Sequence, residues 1–117
     1  MKPPGGSSNR PRVFFEGGKL TSTYISLLHY TQHGIESVKE SPARLEAARK
    51  AFEKLGARIK DFYLVSGQYD AVVISEAPDD TTVAKASLLL GSRGNVRTET
   101  FRAFTEEEFR KIVSALP

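Results

Sequence analysis

The side chains that could take part in chemistry are few, and most of them fall where a predicted strand begins or ends. They are an imidazole, two phenols, a carboxylate and a guanidinium, carried by His29, Tyr30, Tyr69, Asp70 and Arg97. A second imidazole, that of His33, lies shortly after Tyr30 in the chain. Such groups together resemble the polar part of a small-molecule pocket. They could also transfer protons, with His29 or Asp70 as the base and Tyr69 or Tyr30 as the donor.

Each of these residues also has a structural interpretation. His29, on a mostly apolar strand, could be a satisfied structural histidine, and His33, on a loop, could simply be solvated. Asp70 could hold its hairpin by accepting turn N–H groups. A metal pair four residues apart needs a helix, which the strand pattern and Gly34 argue against. Because the chain also has no cysteine and only two histidines, we expect no metal and no cofactor.

Four predicted strands position these residues. Each is rich in β-branched and aromatic residues, with little glycine or proline; they span residues 21–31, 58–66, 70–77 and 96–104. The second and third strands are close enough in the chain to form a hairpin. Gly67 and Gly94 are predicted to be turn glycines that permit positive φ, since neither lies in a phosphate-loop pattern.

The predicted helices follow from capping residues and helical spacing. After a break at Gly34, Ile35 and Val38 mark a short helical turn. A longer helix is expected to start with Ser41 as N-cap and Pro42 as its first residue, and to stop at Gly56.

Two further helices follow. One opens with an aspartate cap at Asp79-Asp80 and is expected to end at Gly91. The last begins with a capping box at Thr105–Glu108 and has one apolar stripe. That stripe contains Phe109, Ile112, Val113 and Leu116.

The order β-α-β-β-α-β plus a C-terminal helix predicts an α+β, ferredoxin-like fold with a four-stranded antiparallel sheet. Right-handed crossovers place both main helices on one face. In this topology the end of the first strand lies near the starts of the third and fourth strands. His29, Tyr30, Tyr69, Asp70 and Arg97 should therefore collect at one end of the sheet, with His33 just beyond.

Both faces of this sheet are apolar. In the first strand Tyr24 and Leu28 lie on one face, while Ile25 and Leu27 lie on the other. A sheet face that meets water should be polar, and the helices cover only one face. We therefore expect the chain to be a homodimer or a higher homo-oligomer.

The net charge of +3 comes from the first twenty residues, which hold four basic residues and one acidic residue. Residues 1–20 show no regular period and are rich in glycine and proline, so we expect a flexible tail. Residues 21–117 are formally neutral and predict a single domain without the clustered cations of a nucleic-acid-binding protein. No apolar run approaches the ~18–20 residues of a membrane span, and no secretory signal is recognisable. We expect a cytoplasmic protein that binds neither nucleic acid nor membranes.

Several short motifs resemble the GYD-domain family of small bacterial proteins. They are Gly67-Gln68-Tyr69-Asp70, Thr31–Ile35, Ser41–Arg44, Glu76–Asp80 and Gly94–Thr100. His33 stands where the family usually has glutamine, and Tyr30 where it often has tryptophan. The resemblance implies a ferredoxin-like fold in a dimeric α/β barrel, without pointing to one reaction.

A weaker likeness, in the Gly-x-Tyr-Asp hairpin and the Gly94–Thr98 strand start, is to the effector-binding domains of leucine-responsive-type regulators. These are oligomeric modules that bind small molecules. Three functions stay open: a small-molecule-binding or sensing module, which we favour; a cofactor-free enzyme of the dimeric α/β barrel kind, similar to oxygenases or isomerases; and a structural or partner-binding oligomer. The enzyme alternative rests on analogy with other proteins of the same fold.

Overall fold

Strands rich in β-branched and aromatic residues form one antiparallel sheet, and two amphipathic helices pack on it. The computed structural model describes residues 15–16 and 19–117. In chain order the elements are β1 (Phe15–Glu16), β2 (Lys19–Leu20), β3 (Ser22–Tyr30), α1 (Gln32–Glu36), a short 3₁₀ helix (Val38–Glu40), α2 (Ser41–Lys54), β4 (Arg58–Leu64), β5 (Ala71–Ala77), α3 (Asp80–Ser92), β6 (Val96–Ala103) and α4 (Glu106–Ser114).

The four long strands have the order β4-β5-β3-β6, and every neighbouring pair is antiparallel. Helix α2 connects β3 to β4, and α3 connects β5 to β6. This is the βαββαβ order of a ferredoxin-like fold, followed by the C-terminal helix α4. The predicted fold class and the β4-β5 hairpin are confirmed.

Most of the segment 1–20, for which we predict a flexible tail, lies outside the described residues. The part that is described is the antiparallel pairing of β1 with β2. The tail therefore stays a prediction.

The helix ends follow largely from capping chemistry. Helix α2 ends just before Gly56, whose φ of +86° is the left-handed conformation that terminates helices. At the start of α3 the Asp79 carboxylate accepts the Thr82 N–H at 2.8 Å. Thr105 and Glu108 form the predicted reciprocal capping box of α4.

Three predicted helix boundaries are wrong. Ser41 is already helical (φ −55°, ψ −41°) because the 3₁₀ helix runs directly into α2, so it is not the N-cap. Gly34 is not a break but lies inside α1, which Thr31 caps by accepting the Gly34 N–H at 3.0 Å. Helix α3 continues past Gly91 to Ser92, because the left-handed residue that follows it is Gly94, with φ +79°.

One face of the sheet, here called the covered face, packs against α2 and α3. Its strand residues include Tyr24, Leu28, Ala71 and Val73, which share one core cluster with Ala48 and Phe52 of α2 and Ala86 of α3. All of these side chains are at most 8% exposed. This cluster is the hydrophobic core of the domain.

The opposite face, here called the open face, carries the alternate residues of the same strands. Ile25, Leu27, Val72 and Ile74 on it are only half-buried, and Phe101 of β6 is 50% exposed. The same face also carries charged residues, among them Glu99 and the buried Glu76, which forms an ion pair with Arg58 at 2.9 Å. Within the described residues the open face thus has the predicted apolar side chains, and these are not packed as a core.

Helix α4 presents the predicted apolar stripe, but the stripe is not buried. Phe109, Ile112, Val113 and Leu116 are all at least 46% exposed. The helix is tied to the sheet near its first turn, where Arg102 of β6 forms an ion pair with Glu108 at 3.4 Å. Among the described residues, no helix is both long and apolar enough to cross a membrane.

Candidate functional site

The end of β3 lies beside the beginnings of β5 and β6. Leu28 is opposite Ala71, and Tyr30 is opposite Val96. This brings five of the predicted site residues to one end of the sheet. However, it divides them between the two faces, because successive residues of a strand point in opposite directions.

His29 and Tyr69 meet on the open face. Their ring centroids are 4.7 Å apart, and the rings are tilted by 34°. The Tyr69 hydroxyl donates to the Glu99 carboxylate at 3.3 Å, and exposed Arg97 lies opposite His29 in the strand register. Desolvation first, and then the charge and hydrogen bond of Glu99, raise the pKa of Tyr69.

Three members of this open-face group, His29, Arg97 and Glu99, line a shallow depression at the end of the sheet. Tyr69 lies beside the depression through its contacts with His29 and Glu99. The Tyr69 hydroxyl proton is already donated to Glu99. Glu99 was not among the predicted site residues, although its place two residues after Arg97 on the same strand face could have indicated it.

Tyr30 and Asp70 meet on the other side of the sheet. One Asp70 carboxylate oxygen accepts the backbone N–H of Tyr30 at 2.9 Å, and the Asp70 N–H donates to the Leu28 carbonyl at 2.8 Å. The carboxylate therefore fastens the β4-β5 hairpin to the end of β3. The sequence predicted that a structural Asp70 would accept N–H groups of its own turn, whereas the observed N–H donor belongs to Tyr30 of the neighbouring strand β3.

A cavity of about 160 Å³ lies between the covered face and α2. Its apolar lining comes from the sheet, α2 and the last turns of α3, and includes Leu28, Leu45, Ala48, Phe52, Ile59, Phe62, Val73, Leu90 and Val96. Its polar lining consists of Ser26, Tyr30, Ser41, Arg44, Asp70, Arg93 and Asn95. A cavity with mostly apolar walls and a few polar groups is typical of a small-molecule site.

Arg44 is the most heavily bonded polar side chain of this lining. One terminal nitrogen donates to the carbonyl and the hydroxyl of Ser37, both at 3.1 Å. The other donates to the Gly34 carbonyl at 3.1 Å and the Ser41 hydroxyl at 3.2 Å. The Ser41 hydroxyl also shares a hydrogen bond of 3.1 Å with the Tyr30 phenol. Arg44 thus fastens α1 and the 3₁₀ helix to the start of α2.

Ser41, Arg44, Arg93 and Asn95 were missing from the predicted site residues. The first two lie in the Ser-Pro-Ala-Arg motif and the last two flank Gly94. A serine and an arginine three residues apart share one helix face, and that spacing was the available indication for the first pair.

His33 does not join either group. It lies exposed on α1 and makes no side-chain contact with the other candidates in the described part of the chain. His29 is on a strand and His33 on a helix, so they do not form the helical pair that would hold a metal. No group of three or more histidine, aspartate or glutamate residues suited to a metal ion occurs among the described residues.

The two predicted turn glycines have positive φ, +121° for Gly67 and +79° for Gly94. The turn at Gly94 is also hydrogen-bonded to the start of α1. The Thr31 hydroxyl donates to the Gly94 carbonyl at 2.6 Å, and the Thr31 N–H donates to the Asn95 carbonyl at 3.1 Å. A Cβ atom on Gly34 would lie 2.0 Å from that Asn95 oxygen. Two of the sequence motifs therefore meet here, and only glycine fits at the contact.

Comparison with known proteins identifies relatives of this chain. A protein of Thermus thermophilus named glutamine synthetase and cystathionine beta-lyase binding protein is 40% identical over 82 residues, which are 69% of this chain and 86% of that protein. No solved structure matches the chain significantly. The GYD domain family matches residues 24–113, which include the whole sheet apart from the first two residues of β3. The chain therefore belongs to the GYD domain family.

Proposed function

We propose that this protein is a small-molecule-binding module that works as a homo-oligomer, with its ligand site in the cavity between the covered face and α2. The observation that carries the proposal is the cavity itself. An apolar cavity of about 150 Å³ is large enough to bind a benzene-sized molecule, and this one has about 160 Å³.

The test compares two alanines of α2. Ala48 is 6% exposed and lines the cavity, whereas Ala43 is exposed and does not. Ala48→Leu should fill part of the void and displace the ligand, and Ala43→Leu should not. Native mass spectrometry of the purified wild-type protein should detect a bound small molecule that is lost from Ala48→Leu and kept by Ala43→Leu.

A wild-type protein that carries no small molecule, and that binds none from a library of ring-sized fragments, would contradict the proposal. Circular dichroism of both variants shows whether they keep the native fold, so loss of the ligand can be separated from loss of structure.

The homo-oligomer is supported by the open face. Its isoleucine, leucine, valine and phenylalanine side chains are those of a core, yet they are half-buried or exposed in the single chain. A second sheet packed on this face would give the dimeric α/β barrel that the family resemblance implies. Ile74→Asp would place an unpaired charge in that interface, so we expect a folded monomer.

The control for this variant is Leu88→Asp on α3, because Leu88 is 74% exposed and lies off the sheet. It should keep the wild-type mass in light scattering. A wild-type protein that is monomeric at micromolar concentration would remove the dimer from the proposal.

A second candidate function is binding to a partner enzyme. It is supported by the name of the relative from Thermus thermophilus and by the exposed stripe of α4. The test mixes the purified protein with purified glutamine synthetase or cystathionine beta-lyase from the organism of this protein. Calorimetry should show saturable binding that Ile112→Glu on the stripe abolishes, while Lys111→Glu beside it binds as the wild type does. Absence of binding to both enzymes would reject this candidate.

A further inference from the structure

The charged groups that line the cavity restrict the ligand further than its volume does. Three of them are ionic: the guanidinium groups of Arg44 and Arg93, and the carboxylate of Asp70. The cavity lining therefore has an excess of one positive charge.

Two of the three ionic groups already have partners. The carboxylate of Asp70 accepts the Tyr30 N–H. The four terminal N–H groups of Arg44 are used by Ser37, Gly34 and Ser41. Both side chains thus hold the walls of the cavity together, and neither has a full set of bonds to offer a ligand.

Arg93 differs from both. It follows α3 as its C-cap residue, and its backbone N–H closes the helix on the Leu90 carbonyl at 3.2 Å. Its side chain is exposed and makes no hydrogen bond or ion pair with the described residues, although it lines the cavity. A free guanidinium beside an apolar cavity is suited to a carboxylate, which it can bind through two parallel hydrogen bonds.

We propose that the ligand is a monocarboxylate with an apolar body the size of one aromatic ring, and that its carboxylate pairs with Arg93. The apolar body would lie against Leu45, Phe52 and Phe62. This inference rests on the proposed small-molecule site and names the class of molecule that the site takes.

The experiment titrates the protein, first cleared of any bound molecule by gentle dialysis, with three probes of similar size and different charge. They are phenylacetate, benzyl alcohol and benzylamine. Calorimetry should give the tightest binding for phenylacetate, by about 10-fold or more over benzyl alcohol, because hydrogen bonds between charged groups are stronger than those between neutral groups. Benzylamine should bind most weakly.

Two variants locate the effect. Arg93→Gln should weaken phenylacetate binding by about 10-fold and leave benzyl alcohol binding unchanged. Arg110→Gln, on exposed α4 and in an ion pair with Glu106, removes the same charge far from the cavity and should change neither affinity. Added salt should weaken the binding of phenylacetate more than that of benzyl alcohol.

The outcomes separate this inference from the proposed function. Equal affinity for the three probes, or tighter binding of benzylamine, would overturn the carboxylate class while supporting a small-molecule site. An unchanged phenylacetate affinity in Arg93→Gln would overturn the role of Arg93. If no probe binds and no molecule copurifies, the proposed function falls together with the ligand class.

Discussion

Tyr24 and Ile25 are neighbours in β3, and they show how differently the two faces of one sheet are used. Tyr24 is 4% exposed on the covered face, whereas Ile25 is half-buried on the open face. The same contrast holds for Leu28 and Leu27. Both faces carry apolar side chains, but within the described residues only the covered face packs them into a core.

The polar groups follow the same division. His29, Tyr69 and Glu99 belong to the open face, whereas Tyr30 and Asp70 belong to the covered side. On the open face the contacts join side chains to one another and stay solvated. On the covered side the Asp70 carboxylate binds the backbone of another strand, and the Tyr30 phenol binds the Ser41 hydroxyl of α2. The open-face group is therefore the more adaptable, and the covered group is more closely tied to the fold.

The largest expected effect comes from comparing Phe52 of α2, which packs on the covered face, with Phe101 of the open face. Phe52→Ala removes a side chain that is 7% exposed in the core, so it should lower the free energy of unfolding by about 3–5 kcal/mol. Phe101, which is 50% exposed, should contribute through association of two chains. The loss in Phe101→Ala should therefore grow with protein concentration.

Urea unfolding at two protein concentrations measures both variants. If Phe101→Ala costs as much as Phe52→Ala, and by the same amount at both concentrations, the open face is packed within the single chain and the comparison fails.

The next effect tests the junction where α1 meets the start of β6. Gly34→Ala would bring a methyl group into the Asn95 carbonyl, which cannot move without breaking its bond to Thr31. We expect a loss of about 3 kcal/mol in the free energy of unfolding. The matched control is Gly91→Ala in α3, where nothing lies within 4 Å of the new Cβ. That variant should gain about 0.4–1 kcal/mol.

Thermal and urea unfolding of the two glycine variants provide the measurement. A Gly34→Ala protein as stable as Gly91→Ala would show that the α1 junction is loose. The cavity beside it would then be less rigid than the contacts of Arg44 indicate.

A third effect compares Asp70 with its neighbour in the chain. Asp70→Asn keeps the shape of the side chain but weakens the bond to the Tyr30 N–H, so about 1–3 kcal/mol of stability should be lost. Tyr69→Phe on the open face removes an exposed hydrogen bond to Glu99 and should leave the melting temperature unchanged. If Asp70→Asn keeps its stability but binds the ligand more weakly, Asp70 serves the ligand rather than the strand junction.

Much of the fold follows from local patterns. Alternation in β3 and β5, the capping residues at Asp79 and Thr105, and the short β4-β5 connection are enough to predict the sheet and its topology. The wrong boundary at Gly34 depends in part on a tertiary contact. Thr31 caps α1 from three residues away, which is a local signal, but the close approach of Gly34 to the Asn95 carbonyl is not visible from local spacing.

The sequence predicted that the candidate site residues lie at one end of the sheet, but it did not predict on which face each of them lies. Alternation from Ile25 and Leu27 places His29 on the open face, and alternation from Tyr24 and Leu28 places Tyr30 on the covered face. Tyr69 and Asp70 lie outside regular strand, so alternation does not extend to them. The spacing of Ser41 and Arg44 places both on one helix face. The cavity itself depends on how α2 packs over the sheet, so the sequence does not assign Arg44 or Arg93 to it.

The smallest expected effect concerns the buried phenol of the covered face. Tyr24 donates to the Asp80 carboxylate at 2.5 Å, and burial first, then this hydrogen bond, raises its pKa to about 12. A tyrosine in the unfolded chain titrates near 10. Between these values the folded state keeps a proton that the unfolded state loses. The contribution of Tyr24 to stability is therefore complete below pH 10 and is lost as the pH rises through 12.

Tyr24→Phe removes both the hydrogen bond and the titrating group. It should cost about 1 kcal/mol at neutral pH and should flatten the fall in stability between pH 10 and 12, measured by urea unfolding at a series of pH values. Tyr69→Phe is the matched control, because the pKa of Tyr69 is also raised but its hydroxyl is exposed on the open face, so solvent screens the interaction and the profile should change less. If the Tyr69 variant flattens the profile more than the Tyr24 variant does, the open face desolvates its phenol more strongly than the covered face. The open face would then be the one buried in solution, as a packed dimer would require.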